Sequence, residues 1–378
     1  MNLPLSNTMT FSDEQASLLD VATTFCREKI SIATVRRQIA SESGFDRELW
    51  NEIAELGWTG VMVPEEFGGS GLSLAEVVAI VEPMGRHLAG TPFVSTQLFA
   101  RALLAGGSEA IKRAYLPQLC SGAIGSVALF ESDGGWDLGH IEASATRDGD
   151  AVRLSGRKTL ACDAAVADFI LVSVDLSGAP ALAVVKAADL PKERRERELV
   201  IDETRRCFSL RLDGITVPLS SLITGEHAQA ALKAIRDAAL LLAAAEAAGG
   251  IAAALELTVE YLNTRMAFGR KIGSYQSLKH TCADILVGLE RSRSHVYHAA
   301  SLLAAGEDAE IALRMAKVEA GDSMVFAGDR AVQFHGGFGF TFECDAQLYL
   351  RRALWLQYSF GDATHHRRRL ADLLLPAA

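Results

Sequence analysis

Apolar positions recur with helical spacing at both ends of this chain of 378 residues and with strand spacing in its middle. In the first stretch, Ser12 precedes a helical run that Thr10 and Phe11 lead into, with Gln15 three residues on as a capping-box partner. Phe45, Leu49, Ile53 and Leu56 fall on one stripe and predict a helix over 45–56 that ends at Gly57. The glycine-rich run from Val63 to Gly71 breaks the pattern as a loop. Further helices are predicted over 73–85 and 94–104.

From about residue 122 the period changes. Short β-type runs at 126–130, 151–154, 169–174, 181–185 and 209–212 alternate with turn residues, which predicts an antiparallel sheet or small barrel. The charged segment Pro191 to Leu199 reads as a solvated loop. From about residue 223 long helices return, at 228–265, 274–305, 309–333 and 344–359. Short connectors between them imply an antiparallel bundle. The expected fold is α+β and mostly α, with a helical domain over 1–121, a β-domain over 122–222 and a four-helix bundle over 223–378.

Apolar residues make up 49% of the chain, ample for a core. Lys and Arg number 37 against 47 Asp and Glu, a net charge of −10. That balance argues against nucleic-acid or anionic-membrane partners, which require a cationic face. Six scattered cysteines without a CxxC pair read as the reduced thiols of a cytoplasmic protein. The first residues lack the basic and apolar regions of a secretory signal. Ala238 to Leu255 is apolar enough to raise a membrane span, but Glu246 and the Gly249-Gly250 pair favour a buried bundle helix.

The common signatures GxGxxG, GxxxxGK[ST], HExxH and GxSxG are absent. The nine histidines lack metal-ligand spacing, and no metal site is expected. Two helix corners stand out. One runs from Arg265 through Phe268, Gly269 and Gly273 to Gln276, where Arg265 is a planar donor suited to a diphosphate and a new helix start adds anion-friendly amides. The other runs from Gln333 through Gly336 and Gly337 to Phe340, where paired glycines would admit a phosphate or ribose close to the backbone. Each can also be read as a simple helix corner with a glycine cap.

Together, and in this order of zones, these features resemble the acyl-CoA dehydrogenase family. The resemblance covers essentially the whole chain. It includes Trp50, Leu56-Gly57, Val63-Pro64-Glu65-Glu66-Phe67-Gly68-Gly69 and Glu82-Pro83-Met84-Gly85-Arg86, then RxxFGxxIxxxQ at 265–276 and QxxGGxGF at 333–340. It implies an FAD enzyme that removes an α-proton from an acyl-CoA thioester while hydride leaves the β-carbon for the flavin. It also implies that Arg265, Phe268, Gln276, Gln333, Gly336 and Gly337 hold the ADP half of FAD across a subunit boundary. A dimer or dimer of dimers, with itself or with a similar subunit, follows from the same resemblance.

Two regions depart from the family pattern. Where a Thr-Glu-Pro stretch is usual, Phe130-Glu131-Ser132 keeps only the Glu. Where a Trp should stack on the flavin ring, Lys158-Thr159-Leu160-Ala161-Cys162 offers Leu160, which has no flat face. Phe360 falls at the position of the usual C-terminal Glu. The candidate bases are Asp362 and, less directly, Asp237, although Asp362 in a Gly-Asp-Ala-Thr turn also reads as a helix cap. The turn at 360–366 resembles the small-subunit type of two-component acyl-CoA dehydrogenases. Cys162 has no activating neighbour in sequence and reads as an inert thiol. Three functions stay open: a partner subunit supplying the ADP side of FAD, a self-sufficient flavoenzyme using Asp362, and a non-catalytic scaffold.

Overall fold

The computed structural model of the protein describes Ser12 to Leu375. Six helices come first: α1 (Asp13–Lys29), α2 (Ile32–Ala40), α3 (Arg47–Glu55), α4 (Leu74–Arg86), α5 (Phe93–Gly106) and α6 (Glu109–Cys120). The capping box forms as expected, Ser12 Oγ accepting from Gln15 N and Gln15 Oε1 from Ser12 N, each at 3.1 Å. Thr10 and Phe11 lie outside the described residues. The helix expected over 45–56 starts later because Asp46 caps it, accepting from the Glu48 and Leu49 amides. Helices α2 and α6 escaped the sequence pattern. In α2 the buried side are Thr34, Val35 and Gln38, and α6 contains Pro117, which reads as a breaker.

Ten strands follow: β1 (Gly125–Ala128), β2 (Ser144–Asp148), β3 (Ala151–Ser155), β4 (Arg157–Cys162), β5 (Phe169–Leu176), β6 (Ala179–Lys186), β7 (Arg195–Glu198), β8 (Cys207–Arg211), β9 (Ile215–Pro218) and β10 (Leu222–Thr224). The larger sheet runs β10-β6-β5-β2-β3-β9, with β1 also on β5; a second sheet runs β4-β8-β7. Most pairings are antiparallel, while β1 and β2 lie parallel to β5. The segment expected as a solvated loop over 191–199 is corrected here: its RERE core is an edge strand on β8. Charges at all four positions hide the strand from pattern reading, since an edge needs little apolar surface.

The C-terminal part consists of α7 (Gly225–Thr264), the hairpin β11 (Met266–Ala267) and β12 (Arg270–Lys271), then α8 (Gln276–Ala304), α9 (Glu310–His335), α10 (Ala346–Tyr358) and α11 (Ala363–Leu374). Helix α7 is long and apolar enough to cross a membrane, yet 94% of its most apolar window is buried in the protein, as in a core helix. Its mid-helix charge is matched: Glu246 pairs with Arg352 of α10, which is fully buried.

The chain divides into two compact units. Among the described residues, one gathers those up to Ile32, Ser73–Ala89 and those from Leu240 on; the other holds Ala33–Leu72 and Gly90–Ala239. In the first, α4 packs against α1 and α8, and α9 against α8, α10 and α11. Close approach of α4 and α7 is written in glycine. A Cβ on Gly85 would overlap the Glu246 carbonyl oxygen, and one on Gly249 the Glu82 carbonyl oxygen. Glu82 itself is buried and accepts from Arg293 Nε at 2.8 Å and Tyr297 OH at 2.7 Å. The second unit is centred on β5 and β6, whose inner positions are fully buried.

Candidate active site

At the first corner, α7 ends at Thr264 and the chain folds back at once. The Ile272 amide donates to the Arg265 carbonyl at 3.0 Å, closing the β11–β12 hairpin. Its two tip residues, Phe268 and Gly269, both have left-handed backbone (φ +53° and +76°), the geometry of a two-residue turn that follows strand twist. An aromatic side chain there is 93% exposed. Holding Phe268 in that backbone region costs energy, which is the mark of a residue placed for something outside the turn. Arg270 lies over the Tyr275 ring at 4.0 Å, whereas the exposed Arg265 has no ion-pair partner among the described residues. Helix α8 then starts at Gln276 without a side-chain cap, leaving its first amides for another acceptor.

At the second corner, α9 ends at His335 and Gly336 turns the chain with φ +63°. A Cβ on Gly336 or Gly337 would meet nothing within 4 Å, so the twin glycines face open space. Gly339 differs: a Cβ there would overlap the Val332 carbonyl oxygen, which makes it a packing glycine. The two corners adjoin within one unit. Tyr261, one turn before Arg265, stacks on His335 with ring centroids 4.2 Å apart. His335 Nδ1 lies 2.7 Å from the Ala331 carbonyl, and because a carbonyl only accepts, Nδ1 carries the proton.

The two stretches of the β-region that resemble a flavin-ring site also meet. The Thr159 amide donates to the Phe130 carbonyl at 3.0 Å and Thr159 Oγ1 to the Glu131 carbonyl at 3.1 Å. Beneath them Lys158, wholly buried, pairs with Glu131 and donates to Ser173 Oγ at 2.8 Å. Burial pushes the Lys158 ammonium below its usual range, opposed by the Glu131 carboxylate. Sequence reasoning missed Lys158, because nothing in spacing ties it to Glu131 across 27 residues. A bulge between Lys158 and Ala161 leaves Leu160 in left-handed backbone (φ +50°) and 38% exposed, its amide held by Glu198 Oε2 at 2.8 Å.

Neither candidate base is a free carboxylate. Asp362 caps α11, Oδ1 accepting from the His365 amide at 2.7 Å. The turn before it is tight, with Phe360 at φ +57° and Gly361 at φ +114°. Lys317 on α9 donates to the carbonyls of Leu356, Gln357 and Gly361; burial lowers its pKa to about 8, with Asp362 and Asp322 opposing. Lys317 precedes His335 by 18 residues on α9. At 1.5 Å per residue, the Asp362 end of the bundle lies about 27 Å from the glycine corner. Asp237 on α7 is buried and paired on both oxygens, with Lys233 at 2.5 Å and Arg236 at 3.0 Å.

Residues 12–123 match the family model described as acyl-CoA dehydrogenase, N-terminal domain, and residues 229–375 match acyl-CoA dehydrogenase, C-terminal domain. The chain belongs to the acyl-CoA dehydrogenase family. Acyl-CoA dehydrogenase IpdE2 of Mycolicibacterium smegmatis is 29% identical over 95% of this chain and 98% of its own length. Butyryl-CoA dehydrogenase from Megasphaera elsdenii superimposes with TM-score 0.88 at 25% identity, covering 99% of this chain and 100% of that one. A chain of the ChsE4–ChsE5 complex from Mycobacterium tuberculosis does so with TM-score 0.88 at 26% identity, covering 98% and 100%.

Members of this family are FAD-dependent oxidoreductases acting on CH–CH groups. The open corners of this family member have room and donors for the nucleotide half of FAD. An arginine without an ion-pair partner among the described residues, an aromatic tip and two glycines with open space above them are what a diphosphate and a nucleoside need. The two stretches of the β-region are joined by the Thr159 amide and hydroxyl, but Leu160 brings an aliphatic surface to the position where the family pattern puts tryptophan.

Proposed function

We propose that this acyl-CoA dehydrogenase is one subunit of a heteromeric enzyme that desaturates an acyl-CoA thioester between its α and β carbons. Its part is the ADP side of the FAD site. Arg265 would pair with the diphosphate, Phe268 and Gln276 would border the nucleotide, and the Gln333–Gly337 turn would let it approach the backbone. FAD, when bound, supplies the two-electron acceptor for the hydride from the β-carbon. The observation that carries the reading is the contrast between the two halves: Gly336 and Gly337 face open space and Arg265 has no ion-pair partner among the described residues, while Leu160 replaces the flat ring-stacking face and Asp362 is engaged as a cap. That a related fold occurs in a complex named for two chains, ChsE4 and ChsE5, supports the assignment.

The test is to purify the chain alone and after co-expression with a second acyl-CoA dehydrogenase-like subunit, and to record flavin spectra. Colourless protein alone and yellow complex on co-expression are expected. Stoichiometric flavin on the lone chain would replace the proposal with a self-sufficient enzyme. No flavin in either preparation would make the chain a scaffold.

A further inference from the structure

Cys162 closes β4 and Cys207 opens β8, and the strand register sets them directly opposite each other. On the next rung the Asp163 amide donates to the Arg206 carbonyl at 2.8 Å. Hydrogen-bonded and non-bonded pairs alternate in an antiparallel ladder, so Cys162 and Cys207 form a non-bonded pair, with Cα atoms about 4.5 Å apart and side chains at their closest. That separation lies inside the range a disulfide spans, about 4.4–6.8 Å. The two sulfurs are 3.0 Å apart and both thiols are free. Among the described residues no histidine or carboxylate joins them as a third metal ligand. Cys207 is wholly buried, while Cys162 is half-buried and so the sulfur a small reagent meets first.

We propose that Cys162 and Cys207 form a reversible cross-strand disulfide, with a peroxide as the oxidant. The Cys162 sulfur attacks the peroxide: an S–O bond forms, the O–O bond breaks, one water leaves, and Cys162 becomes a sulfenic acid. The Cys207 sulfur then attacks the Cys162 sulfur. An S–S bond forms, the S–O bond breaks, and hydroxide leaves with the Cys207 proton as a second water. Two thiols and one peroxide give a disulfide and two waters, and a dithiol reverses the bond by exchange. The order follows from the site. The hydrogen bond with Cys162 and burial raise the Cys207 thiol well above its usual range, so it reacts second and from 3.0 Å away. The bridge would pin β4 to β8 beside two left-handed residues, Leu160 and Asp163, and so freeze the bulge that carries Leu160.

The proposal rests on the β4–β8 register and stands apart from the flavin assignment. Full-length reduced protein is treated with equimolar hydrogen peroxide, blocked with N-ethylmaleimide in urea and digested with trypsin without reductant. The fragments 159–186 and 207–211 should appear as one species, lighter by two hydrogens than their sum and split by dithiothreitol. In Cys207→Ala, Cys162 should instead be trapped by dimedone as the sulfenic acid. The proposal fails if both fragments from the native protein carry maleimide, or if Cys162 runs to sulfinic acid unlinked, at a dose that links thiols in the urea-unfolded chain.

Discussion

Gly249 of α7 lies directly against the carbonyl oxygen of Glu82 on α4, with no room between them for a methyl group. The contact is reciprocated by Gly85 against the Glu246 carbonyl, so two helices cross at backbone distance. Gly249→Ala should therefore destabilise the protein by about 1–3 kcal/mol, the usual cost of overpacking, although alanine is the better helix former. Urea unfolding checks the sign: an unchanged or raised midpoint would mean that the crossing gives way freely.

The buried pair of Lys158 and Glu131 gives a second expectation. Lys158→Met leaves the Glu131 carboxylate without its cation, a loss of roughly 3–5 kcal/mol for a broken buried pair. Adding Glu131→Gln should recover much of it, because the orphaned charge is removed. Denaturation of both variants decides the matter, and a double variant no more stable than the single one would contradict it.

Asp362 can be tested so that capping and proton transfer separate. Asparagine caps a helix as well as aspartate does, whereas alanine loses about 1 kcal/mol of stability. Asp362→Asn should thus unfold like the parent, and in the flavin-loaded complex turn over like it. A general base would instead show a fall of roughly 10²–10⁴-fold in turnover.

If the two helix corners hold the nucleotide as proposed, Arg265→Ala should weaken FAD retention by about 10- to 100-fold, the worth of a charged hydrogen bond. Gly337→Ala should do likewise while leaving the unfolding midpoint unchanged, since its Cβ meets no protein atom within 4 Å. Flavin absorbance after desalting, read beside thermal unfolding, separates the two effects.

Acid should weaken the bundle through His366. Burial, then the charges of Lys317, Arg314 and His365, lower its pKa from 6.5 to about 3. Above 6.5 the ring is neutral in both folded and unfolded chains, and this stability is complete. As pH falls from 6.5 towards 3 the unfolded chain takes up a proton that the folded one refuses, so stability drops by up to about 1.4 kcal/mol per unit. His366→Gln should flatten that slope in chemical denaturation between pH 4 and 6.5.

Sequence alone determined the order of helix, sheet and bundle, the Ser12 cap and the places of the two glycine-rich helix corners, because those depend on local periodicity and on glycine and arginine at fixed short spacings. The tertiary structure alone decided the rest. Helix α2 and strand β7 bury too little apolar surface to show a period. Lys158 finds Glu131, and Cys162 finds Cys207, only through strand register. Asp362 and Asp237 carry the same carboxylate in the sequence, yet one accepts from the His365 amide and the other pairs with two cations. Periodicity records what a residue does for its own element, whereas a partner tens of residues away is chosen by packing, which leaves no mark at any fixed spacing.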